Sequence, residues 1–435
     1  MSLLDTELPP GRSWVRVGDF FEVTRKPRNL DISSFPDIPF AAMEAIPKGG
    51  DFEPRYSNKT SESIASGTYF ERGDILVAKI TPSFENGKQA LTARLPAAFG
   101  YATTEVIPLR AKTAGQDPRL LFFYLLHPDV RSFVADKMEG TTARQRVPED
   151  VLLDLAFPEI GSDDQKTMAD TLCLVQQARK AETGFLEICI RLKRAMMRDL
   201  FTRGLRSERQ RPTDFGVTPD SWPLVPIGSF ATRTQYGLSI RGEAEGACPI
   251  LRMNCQENGK VVMRNLQFVT LDRRTLEDFR VQPGDILFNR TNSYELVGRT
   301  AIVENNIEAV FASYLVRLSV DPTRIDSRFL NHFLNWDVTQ QELKKLASRA
   351  VGQANINASK LRGFAVPVPP QLDEQREIVA ALDAIDKKID LHKRKRAVLE
   401  DLFKALLHKL MTGEIRVSDL DLTVFQPPTT DRASA

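Results

Sequence analysis

The stretch DEQREIVAALDAIDKKIDLHKRKRAVLEDLFKALLHKLMTG, residues 373–413, decides the fold. Its seam runs Ile378, Leu382, Ile385, Ile389, His392, Arg396, Leu399, Phe403, Leu406 and Leu410, in alternating steps of four and three. That spacing is the a/d pattern of a coiled-coil helix. No Pro or Gly falls within 373–412, and Gly413 supplies a stop. At 1.5 Å per residue the helix is about 60 Å long. A helix with an apolar stripe needs a partner.

Subtracting 210 finds one: Met168, Leu172, Val175, Arg179, Glu182, Leu186, Cys189, Lys193, Met196 and Leu200 keep the frame, and Gly204 follows. The offset holds over the whole half-chain. Val17-Gly18 with Phe20 matches Ile227-Gly228 with Phe230. Gly73-Asp74-Ile75-Leu76 matches Gly284-Asp285-Ile286-Leu287, and Ala156-Phe157-Pro158 matches Ala365-Val366-Pro367. Asp163 and Gln165-Lys166 match Asp373 and Gln375-Arg376. The chain of 435 residues is a tandem duplication of a unit of about 210, far too long for a solenoid repeat. Antiparallel pairing of the two helices is expected. The polar seam positions Arg179, Glu182, His392 and Arg396 read as a solvated stretch rather than as register-setting groups.

Before each helix lie short β-rich runs, 74–80, 285–291, 300–304 and 314–320, separated by Gly, Pro and Asn. Two helical runs are expected, Pro118 to Asp136 and Ser327 to Ala347. The fold class is therefore α+β: a mixed globule followed by a long helix, twice over, with the helices forming an antiparallel coiled coil.

Composition narrows the function by exclusion. Hydrophobic residues make up 42% and charged residues 27%, ordinary values for a globular protein. No apolar run reaches the ~18 residues of a membrane span, and the first residues lack a secretory pattern, so the expected location is the cytoplasm. Cys173, Cys189, Cys248 and Cys255 form no CxxC pair, and His127, His332, His392 and His408 are isolated in sequence. No metal site and no cofactor are expected. Gly87-Lys88 and Gly259-Lys260 are followed by Gln89 and Val261, so there is no P-loop. Asp129, Asp136 and Glu139 are the nearest approach to a carboxylate catalytic site, and they lack a suitably placed Lys. A non-enzymatic binding or scaffolding protein fits best.

Two similar globules on a stiff spacer suit a ligand with two separated sites, such as duplex DNA. Arg, Asn, Thr and Ser are the side chains that bond base edges and phosphates. In the second globule they concentrate at Arg290, Thr291, Asn292, Ser293 and Tyr294, with Gln353 and Asn355 in an amide-rich stretch, and Arg233, Gln235, Tyr236, Arg241, Arg252 and Asn254 as further candidates. The aligned positions of the first globule are Lys79, Thr81 and Ser83, then Arg144 and Arg146 in the stretch from Thr141, with Arg25 and Lys26. Residues 14–160 hold 18 Lys/Arg against 20 Asp/Glu, and 222–370 hold 18 against 14. Neither globule could bind DNA by charge alone. Phe185, Ile188, Leu391 and Leu402 widen the apolar surface of the helices beyond the seam. They either pack on the globules or form a docking face for other subunits.

The chain resembles the specificity subunit of type I restriction-modification enzymes over about 14–417. The sharpest matches are Gly284-Asp285-Ile286-Leu287, Gly352-Gln353-Ala354-Asn355-Ile356-Asn357, Phe364 to Pro370 leading into Asp373-Glu374-Gln375-Arg376-Glu377-Ile378-Val379, and Leu410-Met411-Thr412-Gly413. The first unit departs more from the pattern, with Thr141 to Arg146 in place of the amide-rich stretch. The resemblance implies target-recognition domains at 1–160 and 222–370, spacer helices at 161–204 and 371–417, a linker at 205–221 and a polar tail at 418–435. It implies that each domain reads one half of a bipartite site on double-stranded DNA. The helices would set the spacer and dock two S-adenosylmethionine-dependent methylation subunits, joined by restriction subunits. The chain itself would be non-catalytic. The alternatives are a specificity chain of another restriction class or a coiled-coil scaffold with no DNA role.

Overall fold

A computed structural model describes residues 3–141, 144–350 and 352–422; most of the expected polar tail, 423–435, lies outside them. The chain divides into two compact units. One takes residues up to Gly184 and from Lys393 onward, the other Phe185–His392.

In the first unit a four-stranded antiparallel sheet has the order Phe21–Val23, Val106–Ala111, Ile75–Ala78, Gln89–Leu91. A second sheet orders Ser57–Lys59, Ile38–Ala41, Phe99–Ala102 and Thr68–Glu71, with Ile38–Ala41 and Phe99–Ala102 parallel. The second unit repeats this plan. Ala231–Tyr236, Leu315–Val320, Ile286–Asn289 and Thr300–Ile302 are neighbours in that order, extended by Lys260–Val261 and Gln256–Glu257. Cys248–Leu251 again pairs in parallel, with Val310–Phe311. The duplication seen in sequence is thus a duplication of strand order.

The Gly-Asp turn before each central strand shows why the repeat keeps it. Gly73 and Gly284 sit at φ +93° and +91°, where an L side chain is strained. The following Asp folds back: Asp74 accepts from the Glu71 N–H and Asp285 from the Gln282 N–H. Each carboxylate is buried and faces an arginine of the adjacent strand, Arg110 at 3.4 Å and Arg317 at 3.5 Å. Burial raises the Asp74 pKa even so, because desolvation outweighs its partners.

The long helices are Ser162–Arg203 and Leu372–Thr412. They end at Gly204 and Gly413, both at positive φ, the C-terminal stop that glycine allows. Within each unit they run antiparallel. In the first, Met168, Leu172 and Val175 share a core with Phe403, Leu406 and Leu410. In the second, Leu186 and Cys189 pack with Ile385 and Ile389, and Phe201 lies in one core with Ile378 and Leu382. All seven of these second-helix residues are expected seam positions.

The polar seam positions differ from expectation. Arg179 pairs with Glu400 and lies 4.9 Å from the Phe403 ring centroid. Glu182 meets Lys395 at 3.8 Å, and His392 stacks on Phe185 with centroids 5.5 Å apart. Lys193 reaches buried Asp386 at 2.7 Å. Only Arg396 is simply exposed. Most of the seam's polar groups are paired across it because helix partners shield them from water, which the one-dimensional pattern does not record.

Two further expectations change. The run from Pro118 is two helices, Pro118–Tyr124 and Pro128–Ala135, since Pro128 pushes His127 out of helical geometry and makes it an N-cap. Likewise Ser327–Leu334 and Asp337–Lys345 are separate. The stretch 205–221, expected as a linker, contains a hairpin of Gln210–Thr213 and Gly216–Pro219 whose Phe215 joins the second core.

Candidate nucleic-acid interface

The second unit brings together two loops that lie about sixty residues apart in sequence. The strand Ile286–Asn289 is buried throughout. Arg290 then leaves the sheet, and Thr291–Asn292 pairs antiparallel with Gln353–Asn355, which in turn pairs with Ser348–Ala350. The result is a three-stranded ribbon. The Asn355 side chain donates to the Thr291 hydroxyl at 2.6 Å, and the Ile356 N–H donates to the Arg290 carbonyl at 2.9 Å. Arg290 is held from both sides. Its guanidinium lies 4.7 Å from the Tyr236 ring centroid and donates to the Ser313 carbonyl at 3.2 Å. Such stacking presents a planar fork in a fixed direction.

Further residues complete this face, among them Tyr314, Lys360 and Arg362, which were not expected from sequence. The Tyr236 hydroxyl accepts from the Ala358 N–H, Arg362 donates to the Thr234 hydroxyl at 3.1 Å, and Lys360 donates to the Leu346 carbonyl and the Ser348 hydroxyl. Tyr294 lies under the Lys344 ammonium at 5.7 Å. Tyr236, Tyr294 and Tyr314 are all exposed. Tyr236 is expected from sequence, whereas Tyr314 is a neighbour of the loop only through pairing, so no local signal marks it, and Lys360 and Arg362 have no basic counterparts in the first copy.

Other expected residues lie elsewhere. Along Ala231–Tyr236, alternation places Arg233 and Gln235 on one face and Thr234 and Tyr236 on the other. Arg233 pairs with Asp278, and Gln235 donates to the same carboxylate at 2.9 Å. Arg233 is therefore turned away from the ribbon. Arg252 and Asn254 both donate to the Asn265 carbonyl and hold a turn. Arg241 is an exposed loop residue. Asn292 accepts from the Ser293 N–H, and Ser293 and Gln353 are exposed.

The first unit makes the same juxtaposition with different side chains. Ile80 bridges to Arg146, the Thr81 N–H donates to the Gln145 carbonyl at 3.0 Å, and the Val147 N–H donates to the Lys79 carbonyl at 2.8 Å. Lys79, Thr81 and Ser83 are half-buried, and Arg144 is exposed. Thr142 and Ala143 lie outside the described residues. Arg146 bonds Glu105 through two nitrogens, at 2.9 and 2.7 Å, which holds that carboxyl below the usual range. Arg25 pairs with Glu149, while Lys26 is exposed.

On the helices, Phe185 and Ile188 are about half exposed, and Leu192 continues the stripe at the next turn. This i, i+3, i+7 row is separate from the buried seam. Leu391 is exposed too. Leu402 is not: it is half-buried against the core of the first unit, because the globule covers that side of the helix.

Among the described residues two groups of potential metal ligands converge, although their histidines are isolated in sequence: His127, Asp129 and His408, and His332, Asp383 and Asp386. Hydrogen bonds and ion pairs account for both. The Asp129 N–H donates to His127 Nδ1 at 3.2 Å, which leaves the proton on Nε2, facing His408 Nδ1 at 3.3 Å. Burial lowers the His127 pKa to about 4. In the second group His332 bonds Asp383 at 2.9 Å and Lys193 takes Asp386. Among the described residues no helix is long and apolar enough to cross a membrane.

Residues 225–401 match the family described as the type I restriction modification DNA specificity domain. The match takes in the second globule and most of the helix after it. This part of the chain is similar to type I DNA specificity domains. The putative type I restriction enzyme MjaX specificity subunit of Methanocaldococcus jannaschii is 27% identical over 48% of this chain and 49% of its own length. The MjaVIII specificity subunit of the same organism is 23% identical over 74% of this chain and 76% of its own. The StySPI specificity subunit of Salmonella potsdam is 26% identical over 67% and 65%. The chain thus spans about half the length of the first of these relatives. The crystal structure of the type I S subunit from M. genitalium covers 94% of this chain and 99% of its own, with a TM-score of 0.58 at 14% identity, which establishes a shared fold.

Proposed function

We propose that this chain is the DNA-sequence-specificity subunit of a type I restriction-modification complex. The globules within 1–160 and 222–370 each read one half of a bipartite site on double-stranded DNA. The helices within 161–204 and 371–417 set the spacer between the halves. One observation carries the reading: both units pair the loop after the Gly-Asp strand with a second, distant loop, and the side chains presented there differ between the copies. A common scaffold with different polar tips is what two different half-sites require.

In the second unit the reading set is Arg290, Thr291, Asn292, Gln353 and Asn355, with Tyr236, Lys360 and Arg362 beside it. Arg290 supplies the bidentate donor suited to guanine, and Asn or Gln the donor-acceptor pair suited to adenine. In the first unit Lys79, Thr81, Ser83, Arg144 and Arg146 occupy the equivalent place. The exposed row Phe185, Ile188 and Leu192, with Leu391, docks two methylation subunits. Those subunits bind S-adenosylmethionine and flip the target adenine from the duplex. Restriction subunits then join to cut unmodified DNA. The chain acts by binding, the reacting groups belong to its partners, and it works in the cytoplasm with its DNA. The near balance of charge in each globule means that the partners supply much of the phosphate contact.

Mapping methylated adenines genome-wide, with and without this gene and with the methylation partner kept, tests the proposal. Loss of methylation at one split sequence is the expected result. An unchanged map would overturn it.

A further inference from the structure

Each unit has a buried joint of its own, built in both copies from a glutamine, an aspartate and an arginine. In the first turn of each long helix lie Gln165 and Gln375, both about 1% exposed. The Gln165 Oε1 accepts from the Asp117 N–H at 3.0 Å, and its Nε2 donates to the Ile160 carbonyl at 2.8 Å. The Gln375 Oε1 accepts from the Asp326 N–H, and its Nε2 donates to the Pro369 carbonyl, at 2.8 and 2.9 Å. Asp117 and Asp326 are themselves N-caps, of Pro118–Tyr124 and Ser327–Leu334. The next residue but one is an arginine that returns to the long helix. Arg119 reaches Asp170 at 2.6 Å, and Arg328 reaches Asp383 at 3.5 Å.

Each glutamine therefore ties three backbone segments at one point: the globule's short helix, the strand exit, and the first turn of the spacer. A buried amide that satisfies both its ends is directional in a way that an apolar side chain is not. The cores already hold globule and helix together. The hydrogen bonds add a fixed angle.

We infer that Gln165 and Gln375 are positioning residues for DNA recognition: by locking each globule's angle on its own helix, they make the complex intolerant of the wrong spacer length. The inference rests on the bipartite reading above. It assigns to the joint strictness of spacing and leaves the choice of bases to the ribbons. Glutamine is needed because the joint demands an acceptor and a donor on one planar group at the end of two methylenes. Methionine fills the same volume without either.

The test uses the assembled complex with its methylation subunits in cells, carrying the wild-type chain or Gln375→Met, followed by adenine-methylation mapping and a thermal melt of the purified chain. The expected result is an unchanged pair of half-sites. Methylation at spacers one base pair longer or shorter should rise by about tenfold, the population change that losing one such buried hydrogen-bond set permits. A folded variant that keeps the wild-type spacer strictly overturns the inference and leaves the reading intact. A variant with altered half-site bases overturns it too, since the residue would then act on base recognition. A wild-type map with no split sequence would instead be a failure of the reading itself. Should Gln375→Met fail to accumulate, Arg328→Met cuts the more exposed arm of the same joint and is judged by the same outcomes.

Discussion

Asp386→Ala should destabilise the second unit by about 3 kcal/mol. The carboxylate is about 5% exposed and both its oxygens lie 2.7 Å from the Lys193 ammonium, whose side chain is 19% exposed. The pair sits beside the apolar contacts of Leu186 and Cys189 with Ile385 and Ile389. Removing one member of a buried pair costs about 3–5 kcal/mol because the other charge stays desolvated. The residual exposure of Lys193 places Asp386→Ala at the low end. Lys193→Met should cost more, about 4 kcal/mol, since it strands the more deeply buried carboxylate. The double variant Lys193→Met with Asp386→Leu should return to within about 1 kcal/mol of wild type, as apolar groups of similar volume replace such pairs well. Urea unfolding followed by far-UV circular dichroism and tryptophan fluorescence measures all three. Single costs below about 1 kcal/mol that simply add in the double variant would show that the two groups do not depend on each other, and would restore the view of the polar seam as a solvated stretch.

The His127 pair gives a pH signature. Its pKa is lowered from 6.5 to about 4, so the unfolded chain binds the proton first and stability falls as pH drops from about 6.5 toward 4. Between pH 8 and pH 5 the loss is about 2 kcal/mol; His127→Asn, which keeps a cap for the Asp129 N–H, should remove that part of the slope in pH-dependent urea titrations, and an unchanged slope would contradict the assignment. Arg290→Ala should weaken binding by about 1–3 kcal/mol for DNA with the second half-site intact. Discrimination at the first half-site should be unaffected in competition assays, and equal loss on every sequence would mark Arg290 as a phosphate contact instead. Inserting one heptad after Glu182 and one after Lys395, opposite positions in the first unit, lengthens the helical pair by about 10 Å. The preferred spacer should grow by about three base pairs at 3.4 Å each, read from methylated sites, and an unchanged spacer would refute the ruler.

The duplication was legible because the constant offset links local signals that both copies keep for physical reasons. Gly73 and Gly284 occupy a backbone region that other residues resist, and the a/d seam must stay apolar to stay buried. The strand order followed from neither, since four short runs could pair in several ways; only contacts such as Ile75 with Leu109 and Ile286 with Leu318 select one. The candidate interface was half legible. The polar loop at Arg290 and the amides at Gln353 and Asn355 stood out by composition, but their pairing is long-range. Arg233 lies on the opposite strand face from Tyr236, which depends on the register of its strand and on Asp278 of a different element. Sequence left open whether Leu402 packs on a globule or docks a partner, because nothing in a helical pattern tells which side a globule covers. His127 and His408 looked isolated because their contact joins residues 281 apart.

The central claim is that two modules read two separated half-sites. Hydroxyl-radical footprinting of the chain assembled with its methylation subunits, on a duplex carrying the methylated split sequence, addresses it most directly. Two protected patches with a cleavable gap between them are expected, with loss of only the second patch's sequence dependence on Arg290→Ala. A single continuous footprint indifferent to the bases of either half would contradict it.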